Sequence, residues 1–152
     1  MTTILVDADA CPVREEVLRV AERLGVPVIM VTNGSRPVRP PTLPGSRLVV
    51  VGEGADKADD WIAEAITAAD VCVTTDIPLA ARCLEKGARV ISPKGIPFTG
   101  DNIGSRLAGR ALSQHLRESG VATGGPAPMT QADRSRFLNA LDTAVQAALR
   151  GA

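Results

Sequence analysis

The sequence predicts a three-layer α/β domain with a mostly parallel sheet and two C-terminal helices. Short apolar segments rich in strand formers alternate with amphipathic helical segments through most of the 152-residue chain. This alternation is typical of parallel sheets joined by helical crossovers. Acidic residues follow the first and fourth apolar segments, and a proline stands in the first turn of each following helix, where proline is tolerated. The length fits one domain covering residues 1–152.

Each element is predicted from its hydrophobic period and its end signals. Strands are predicted at residues 3–7, 27–31, 48–51, 71–74 and 89–92. Helices are predicted at 12–24, 56–69 and 78–86, with a proline-rich extended loop at 36–47. A further helix is expected from Asp101 or Asn102 to residue 116. Thr130 is expected to cap a final helix that runs to about residue 149, with Asp133 in the capping-box position.

Composition narrows the classes of function. Lysine plus arginine equals aspartate plus glutamate at 17 each, so any nucleic-acid site must be a local patch. Only 2% of residues are aromatic, which argues against base-stacking platforms. Cys11, Cys72 and Cys83 form no CxxC pair, which favours reduced thiols over a disulfide framework or a zinc site. No apolar run reaches membrane-spanning length and no signal peptide is evident, so we expect a cytoplasmic protein without a membrane partner.

The first acidic residues, Asp7 and Asp9, come directly after an apolar strand. The carboxyl end of a parallel strand, just before a helix, is where open α/β sheets bind ligands. Two close carboxylates are costly unless a cation compensates them. One interpretation is therefore a divalent-metal or phosphoryl-transfer site. The alternative is that Asp9 caps the first helix and Asp7 is an ordinary loop residue.

Two more segments offer carboxylates on the same predicted edge of the sheet. Asp56, Asp59 and Asp60 begin the second helix, and Asp76 follows the fourth strand. Asp56 and Asp60 lie away from the apolar stripe of their helix, whereas Asp59 borders it; the helix dipole alone would explain one or two of these acids. Scattered oxygen ligands suit paired Mg²⁺ or Mn²⁺ ions about 3.5–4 Å apart, which position water and stabilise an in-line phosphoryl transition state.

Three motifs carry a resemblance to a known family. Residues 6–12 read VDADACP, residues 54–62 read GADKADDWI and residues 74–80 read TTDIPLA. Together with Lys94-Gly95 and a tail that includes Asp133, Arg134 and Phe137, they look like the YaiI/YqxD family of uncharacterised bacterial proteins. The likeness covers nearly the whole chain.

The resemblance implies placement near the PIN/NYN-like superfamily of metal-dependent nucleases, which have a Rossmann-like fold and act mostly on RNA. Carried over by motif, the catalytic carboxylates are Asp7, Asp56, Asp60 and Asp76, with Asp59 as the alternative to Asp60. Asp9 is not a standard position of that superfamily and is expected to assist the metal directly or from outside its ligand shell. The implied cofactor is Mg²⁺ or Mn²⁺ and the implied partner is nucleic acid, RNA rather than DNA.

Polar residues around these motifs are candidates for binding the substrate. Lys57 and Lys94 are placed by their motifs to contact phosphate oxygens, and Arg39, Arg106 and Arg110 are placed to hold the flanking backbone. The candidate substrate-binding residues are Asn33, Ser35, Arg36, Lys57, Thr75 and Lys94.

Three other functions fit parts of the pattern. A haloacid-dehalogenase-like phosphatase would use Asp7 as nucleophile and Asp9 as acid/base, with Thr74 or Thr75 and Lys94 as its next motifs. That scheme needs an acid pair after the lysine, whereas the Asp56–Asp60 cluster precedes it. A phosphorylation-receiver module needs an acid at the end of the third strand, where the chain has Gly52-Glu53-Gly54. A catalytically inactive binding domain on the same fold remains a further alternative.

Overall fold

One six-stranded sheet forms the centre of the computed structural model, which describes residues 2–52, 54, 56–103 and 129–151. The strands are β1 (Ile4–Asp7), β2 (Val28–Thr32), β3 (Arg47–Val50), β4 (Val71–Val73), β5 (Arg89–Ile91) and β6 (Pro97–Phe98). The helices are α1 (Arg14–Leu24), α2 (Lys57–Ala65), α3 (Ile77–Glu85) and α4 (Gln131–Leu149). A short 3₁₀ turn, Ala8–Ala10, follows β1.

The strand order is β3-β2-β1-β4-β5-β6. All neighbours pair in parallel except β5 and β6, which are antiparallel. The mostly parallel sheet is therefore confirmed, and β6 is an addition that the sequence analysis did not predict. A tight turn produces it: the Gly95 amide donates to the Ser92 carbonyl at 2.8 Å, and the Ser92 amide donates to the Ile96 carbonyl at 3.0 Å.

Two apolar cores, one on each face of the sheet, confirm the three layers. Alternate residues of a strand point to opposite faces. Ile4 and Val6 of β1 thus pack with α1 and α4, where Phe137 is fully buried. Leu5 points the other way and packs with α2 and α3. Among the described residues, no helix has the length and apolar character needed to cross a membrane.

Three helix ends depart from the prediction. Helix α1 begins at Arg14 with Val13 as its N-cap, so Pro12 precedes the helix instead of standing in its first turn. Helix α2 stops at Ala65 instead of residue 69, because the Asp70 carboxylate binds both the amide and the hydroxyl of Thr67 and also the Thr3 amide, each within 3.0 Å. These bonds fix a turn that competes with the helix. The helix predicted from Asp101 or Asn102 is present at residues 100–103. Its remaining predicted length lies outside the described residues, as do Arg106 and Arg110.

The final helix agrees with the prediction. The Thr130 hydroxyl accepts from the Asp133 amide at 3.0 Å, and the Asp133 carboxylate accepts from the Thr130 amide at 3.1 Å. This reciprocal pair is the capping box inferred from the sequence. At the same end, Arg134 donates to the Pro12 carbonyl and to Glu16, each at 3.1 Å, which fastens the start of α4 beside the start of α1.

Candidate acidic site at the carboxyl edge of the sheet

Asp7 ends the central strand β1 and is almost buried, with 8% of its surface exposed. Its carboxylate accepts a hydrogen bond of 3.1 Å from the hydroxyl of Thr74, which directly follows the neighbouring strand β4. Burial raises the pKa of the Asp7 carboxyl; the Thr74 bond opposes the increase, and the charges of Asp9 and Asp76 add to it. Asp7 is thus a buried acid in an environment that disfavours its charge.

Asp76 is held to the same edge by two bonds. Its side chain caps α3 by accepting from the Leu79 amide at 2.8 Å. Its own amide donates to the Thr74 hydroxyl at 3.0 Å. Thr74 therefore links the backbone of Asp76 to the carboxylate of Asp7. From the sequence, Thr74 was expected to act only in the alternative phosphatase. The signal that marks it is a hydroxyl directly after a buried strand, two residues before an acid.

Asp59 is the member of the α2 acids that shares its electrostatic environment with Asp7 and Asp76. The side chain is half-buried. Burial raises the pKa of Asp59 to about 7, and the charges of Asp76, Asp7 and Asp56 contribute in that order. Acids from three separate segments therefore influence this carboxyl, and the metal site expected at these residues stays a prediction.

Asp60 and Asp56 have different surroundings. Asp60 is exposed and forms an ion pair with Arg82 at 2.7 Å. Asp56 is exposed at the start of α2, and its side chain makes no capping bond. Asp56 contributes to the raised pKa of Asp59, whereas the Asp60 carboxylate is paired with the Arg82 guanidinium. The geometry therefore favours Asp59 over Asp60 as the third carboxylate.

Asp9 fastens the loop after β1 to the end of β2. One carboxylate oxygen accepts from the hydroxyl of Thr32, and the other accepts from the Asn33 amide at 2.9 Å. Helix α1 begins after Val13 without a side-chain cap, so the alternative that Asp9 caps this helix is wrong. Thr32, which is buried, had not been identified from the sequence. Its hydroxyl also accepts from the Gly34 amide at 3.2 Å, which shapes the loop carrying Asn33.

The candidate substrate residues surround this edge with accessible polar groups. Asn33 is half-buried, and its side-chain oxygen accepts from the Ser35 amide at 2.9 Å. The exposed candidates are Ser35, Arg36, Lys57, Thr75 and Lys94. Lys94 lies beside the start of α4, where its carbonyl accepts from Arg136 at 3.3 Å.

The donors at this edge are carboxylate oxygens, which suit hard divalent cations. Among the described residues, no three acidic, thiol or imidazole groups converge closely enough to ligate one ion together as they stand. Mg²⁺ commonly retains several waters and uses only one or two protein carboxylates, so direct contact by three is not required. Burial is the main cause of the raised pKa values of Asp7 and Asp59, and neighbouring carboxylates add to it. These features fit a divalent ion.

The fold and this edge define a parallel α/β protein with an acidic site at the carboxyl ends of its central strands. A family model described as "Uncharacterized BCR, YaiI/YqxD family" matches residues 5–147. The chain therefore belongs to the YaiI/YqxD family.

Curated relatives resemble the chain over nearly its full length. A UPF0178 protein of Rhodospirillum centenum is 54% identical, with 99% of both chains covered. A UPF0178 protein of Mesorhizobium japonicum is 55% identical, with 99% of this chain and 96% of the relative covered. One from Paramagnetospirillum magneticum is 53% identical over 99% and 98% of the two chains. No solved structure matches the chain.

Proposed function

We propose that the protein is a divalent-metal-dependent hydrolase that cleaves phosphodiester bonds in nucleic acid, with RNA as its substrate. One observation carries the proposal: the Thr74 hydroxyl links the Asp7 carboxylate to the backbone of Asp76, and the charge of Asp76 adds to the raised pKa of both Asp7 and Asp59. Mg²⁺ or Mn²⁺ would be held there. Such an arrangement costs folding free energy without a cation, which supports a functional rather than a structural role.

The chain's own residues preorganise this edge. Thr74 orients the Asp7 carboxylate, and the first turn of α3 holds the Asp76 carboxylate. Fixed carboxylates would hold the cation without reorganising as the reaction proceeds. When bound, the ion would orient water and stabilise negative charge that develops on the phosphate. Lys57 and Arg36, both exposed, would contact the phosphates on either side.

The hydrogen bonds of Asp9 support a nuclease over a phosphatase. A haloacid-dehalogenase-like phosphatase would need Asp9 as a mobile acid/base beside the nucleophile Asp7. Here both Asp9 oxygens accept bonds from the end of β2 and its loop. A carboxylate committed to two donors is a poor proton shuttle, because transfer would break those bonds. RNA is chosen over DNA because the resemblance is to nucleases that act mostly on RNA.

A cytoplasmic location forms part of the proposal. Cys11, Cys72 and Cys83 are all free thiols. Cysteines that remain unpaired are typical of proteins that work in a reducing compartment.

Cleavage assays test the proposed function. Wild-type protein with Mn²⁺ should cut single-stranded RNA, and Asp76→Asn should lose this activity because the substitution removes a charge while keeping a side-chain acceptor for the cap. Glu85→Gln, which removes one exposed carboxylate at the other end of α3, is the matched control and should cut like the wild type. Equal cleavage by Asp76→Asn would reject the site. Wild-type turnover of a phosphate monoester, without cleavage of RNA or DNA, would favour the phosphatase instead.

A further inference from the structure

A cavity of about 280 Å³ lies beside the connection between β1 and α1, the segment that follows Asp7. Its walls include Val6 from β1 and Ala8 and Cys11 from the β1–α1 connection, together with Arg14 and Arg39. Val6 faces the α1 side of the sheet, and Asp7 is the next residue along the strand, so the cavity lies beside the end of the strand that carries the first acid.

Arg14 is an unusual residue for such a wall. It is half-buried, yet its guanidinium hydrogen bonds to described residues go to a thioether, Met30 Sδ at 2.9 Å, and to a backbone carbonyl, that of Pro40 at 3.4 Å. Within the described part of the chain, no carboxylate forms an ion pair with Arg14 or Arg39. A partly desolvated guanidinium without an anion is costly, and it keeps several N–H donors available.

The rest of the cavity wall adds no negative charge. Its other lining residues are neutral, and burial raises the pKa of the Cys11 thiol to about 11, so the thiol is protonated at neutral pH. A second hollow of about 410 Å³ shares Arg14 and Arg39 and continues along α1 past Arg19, but its lining also includes Glu15 and Glu22. The first cavity, whose lining contains no acid, is here called the Arg14 groove.

We infer that Arg14 and Arg39 form a phosphate subsite that holds the nucleic-acid backbone beside the bond to be cut. The inference rests on the proposed function. Guanidinium groups match phosphate geometry through paired N–H donors. An anion seated in the cavity would satisfy the donors that Arg14 leaves free. Contacts to backbone phosphate fix the register of a strand, so the subsite would place one phosphate in the Arg14 groove and a neighbouring one at the carboxylates.

Binding of a fluorescein-labelled single-stranded RNA in EDTA, followed by anisotropy, tests the subsite without cleavage. Arg14→Gln and Arg39→Gln should each weaken binding by about tenfold, since a charged hydrogen bond is lost. Each should also reduce the slope of log K against log salt by about 0.7. Arg150→Gln, at the end of α4 remote from the groove, is the matched control. Arg14→Lys, which keeps the charge but not the paired donors, should recover the salt slope and only part of the affinity.

The outcomes separate the subsite from the proposed function. Arg14→Gln and Arg39→Gln variants that bind RNA like Arg150→Gln would overturn the subsite, even if the wild type cleaves RNA. Groove-dependent RNA binding without metal-dependent cleavage would support the subsite and reject the hydrolase. Because Arg14 contacts two other segments, circular dichroism is used to check that the Arg14→Gln variant is folded. Arg39 is exposed, so an unchanged RNA affinity in Arg39→Gln alone would also overturn the two-arginine subsite. A variant that weakens binding of inorganic phosphate but not of RNA would overturn the assignment to a strand.

Discussion

At the scale of single residues, the choice between Asp59 and Asp60 depends on about 100° of rotation around one helix. Sequence pattern placed Asp60 with Asp56, away from the apolar stripe, and this is correct for exposure. The pattern does not determine which side of α2 faces the end of β1. Once Ala58 and Ile62 are buried against the sheet, Asp59 shares the environment of Asp7, and Asp60 is ion-paired with Arg82 at the surface.

The raised pKa of Asp59 predicts how stability changes with pH. The unfolded chain releases this proton near pH 3.8 and the folded chain near pH 7. Between these values the folded state binds more protons, so stability from this group is lost as pH rises. Asp59→Asn removes the effect. In thermal melts with EDTA, the variant should gain stability over the wild type at pH 8 and gain none at pH 4. An equal difference at both pH values would contradict the assigned titration.

The Thr74 hydroxyl predicts a second effect at this scale. It donates to Asp7 and accepts from the Asp76 amide, and Thr74 is buried. Thr74→Val leaves both partners short of a bond and should lower the free energy of unfolding by about 1–3 kcal/mol. Thr74→Ser restores the hydroxyl and should recover most of the loss in urea titrations. A valine variant as stable as the wild type would show that this link is not structural.

At the scale of elements, Asp76 both caps α3 and supplies charge to the acidic edge, and two substitutions separate these roles. Asp76→Ala removes the cap and should cost about 0.5–2 kcal/mol relative to Asp76→Asn, whose amide oxygen still accepts from Leu79. Chemical unfolding in EDTA measures the difference. Metal-free Asp76→Asn should be at least as stable as the wild type at pH 8, because it removes repulsion on Asp7 and Asp59. Equal stability of the two variants would mean that the cap contributes nothing.

The close approach of Gly95, in the β5–β6 turn, to helix α4 predicts that a larger residue at this position destabilises the protein. A Cβ on Gly95, where φ is +82°, would lie 2.6 Å from backbone atoms of Arg136 and Phe137. Gly25 also has positive φ, at +69°, but a Cβ there meets nothing within 4 Å. Gly25→Ala should cost about 1–2 kcal/mol from backbone strain alone, and Gly95→Ala about 1–3 kcal/mol more from the clash. Similar unfolding midpoints for the two variants would show that α4 adjusts freely around the turn.

At the scale of the whole molecule, the hydrophobic period of the sequence was sufficient to predict the five parallel strands and the order of the helices between them. Segments with consecutive apolar residues, such as Val71–Val73, are typical of parallel sheets whose two faces are both buried. The convergence of Asp7 and Asp76 followed from the same logic, since parallel strands end at one edge. The capping signal at Thr130 was equally readable, because it depends only on residues three apart.

Features that depend on distant partners were not readable from the sequence. Strand β6 has two residues, too few for any period, and exists because of the turn at Gly95. The early end of α2 depends on Asp70 binding both Thr67 and Thr3, which are 3 and 67 residues away. The role of Asp9 required knowing that the end of β2, which pairs with β1, brings the Thr32 hydroxyl within hydrogen-bond reach of the turn after β1. Each is a tertiary contact that local pattern does not encode.

The central claim is that Asp7, Asp59 and Asp76 hold a divalent cation, and titration of Mn²⁺ followed by electron paramagnetic resonance tests it most directly. The wild type, Asp7→Asn, Asp59→Asn and Asp60→Asn are compared at pH 8. We expect Asp7→Asn and Asp59→Asn to lose at least about tenfold in Mn²⁺ affinity, and Asp60→Asn to bind like the wild type because its carboxylate is ion-paired with Arg82. Unchanged affinity in Asp7→Asn and Asp59→Asn would contradict the claim.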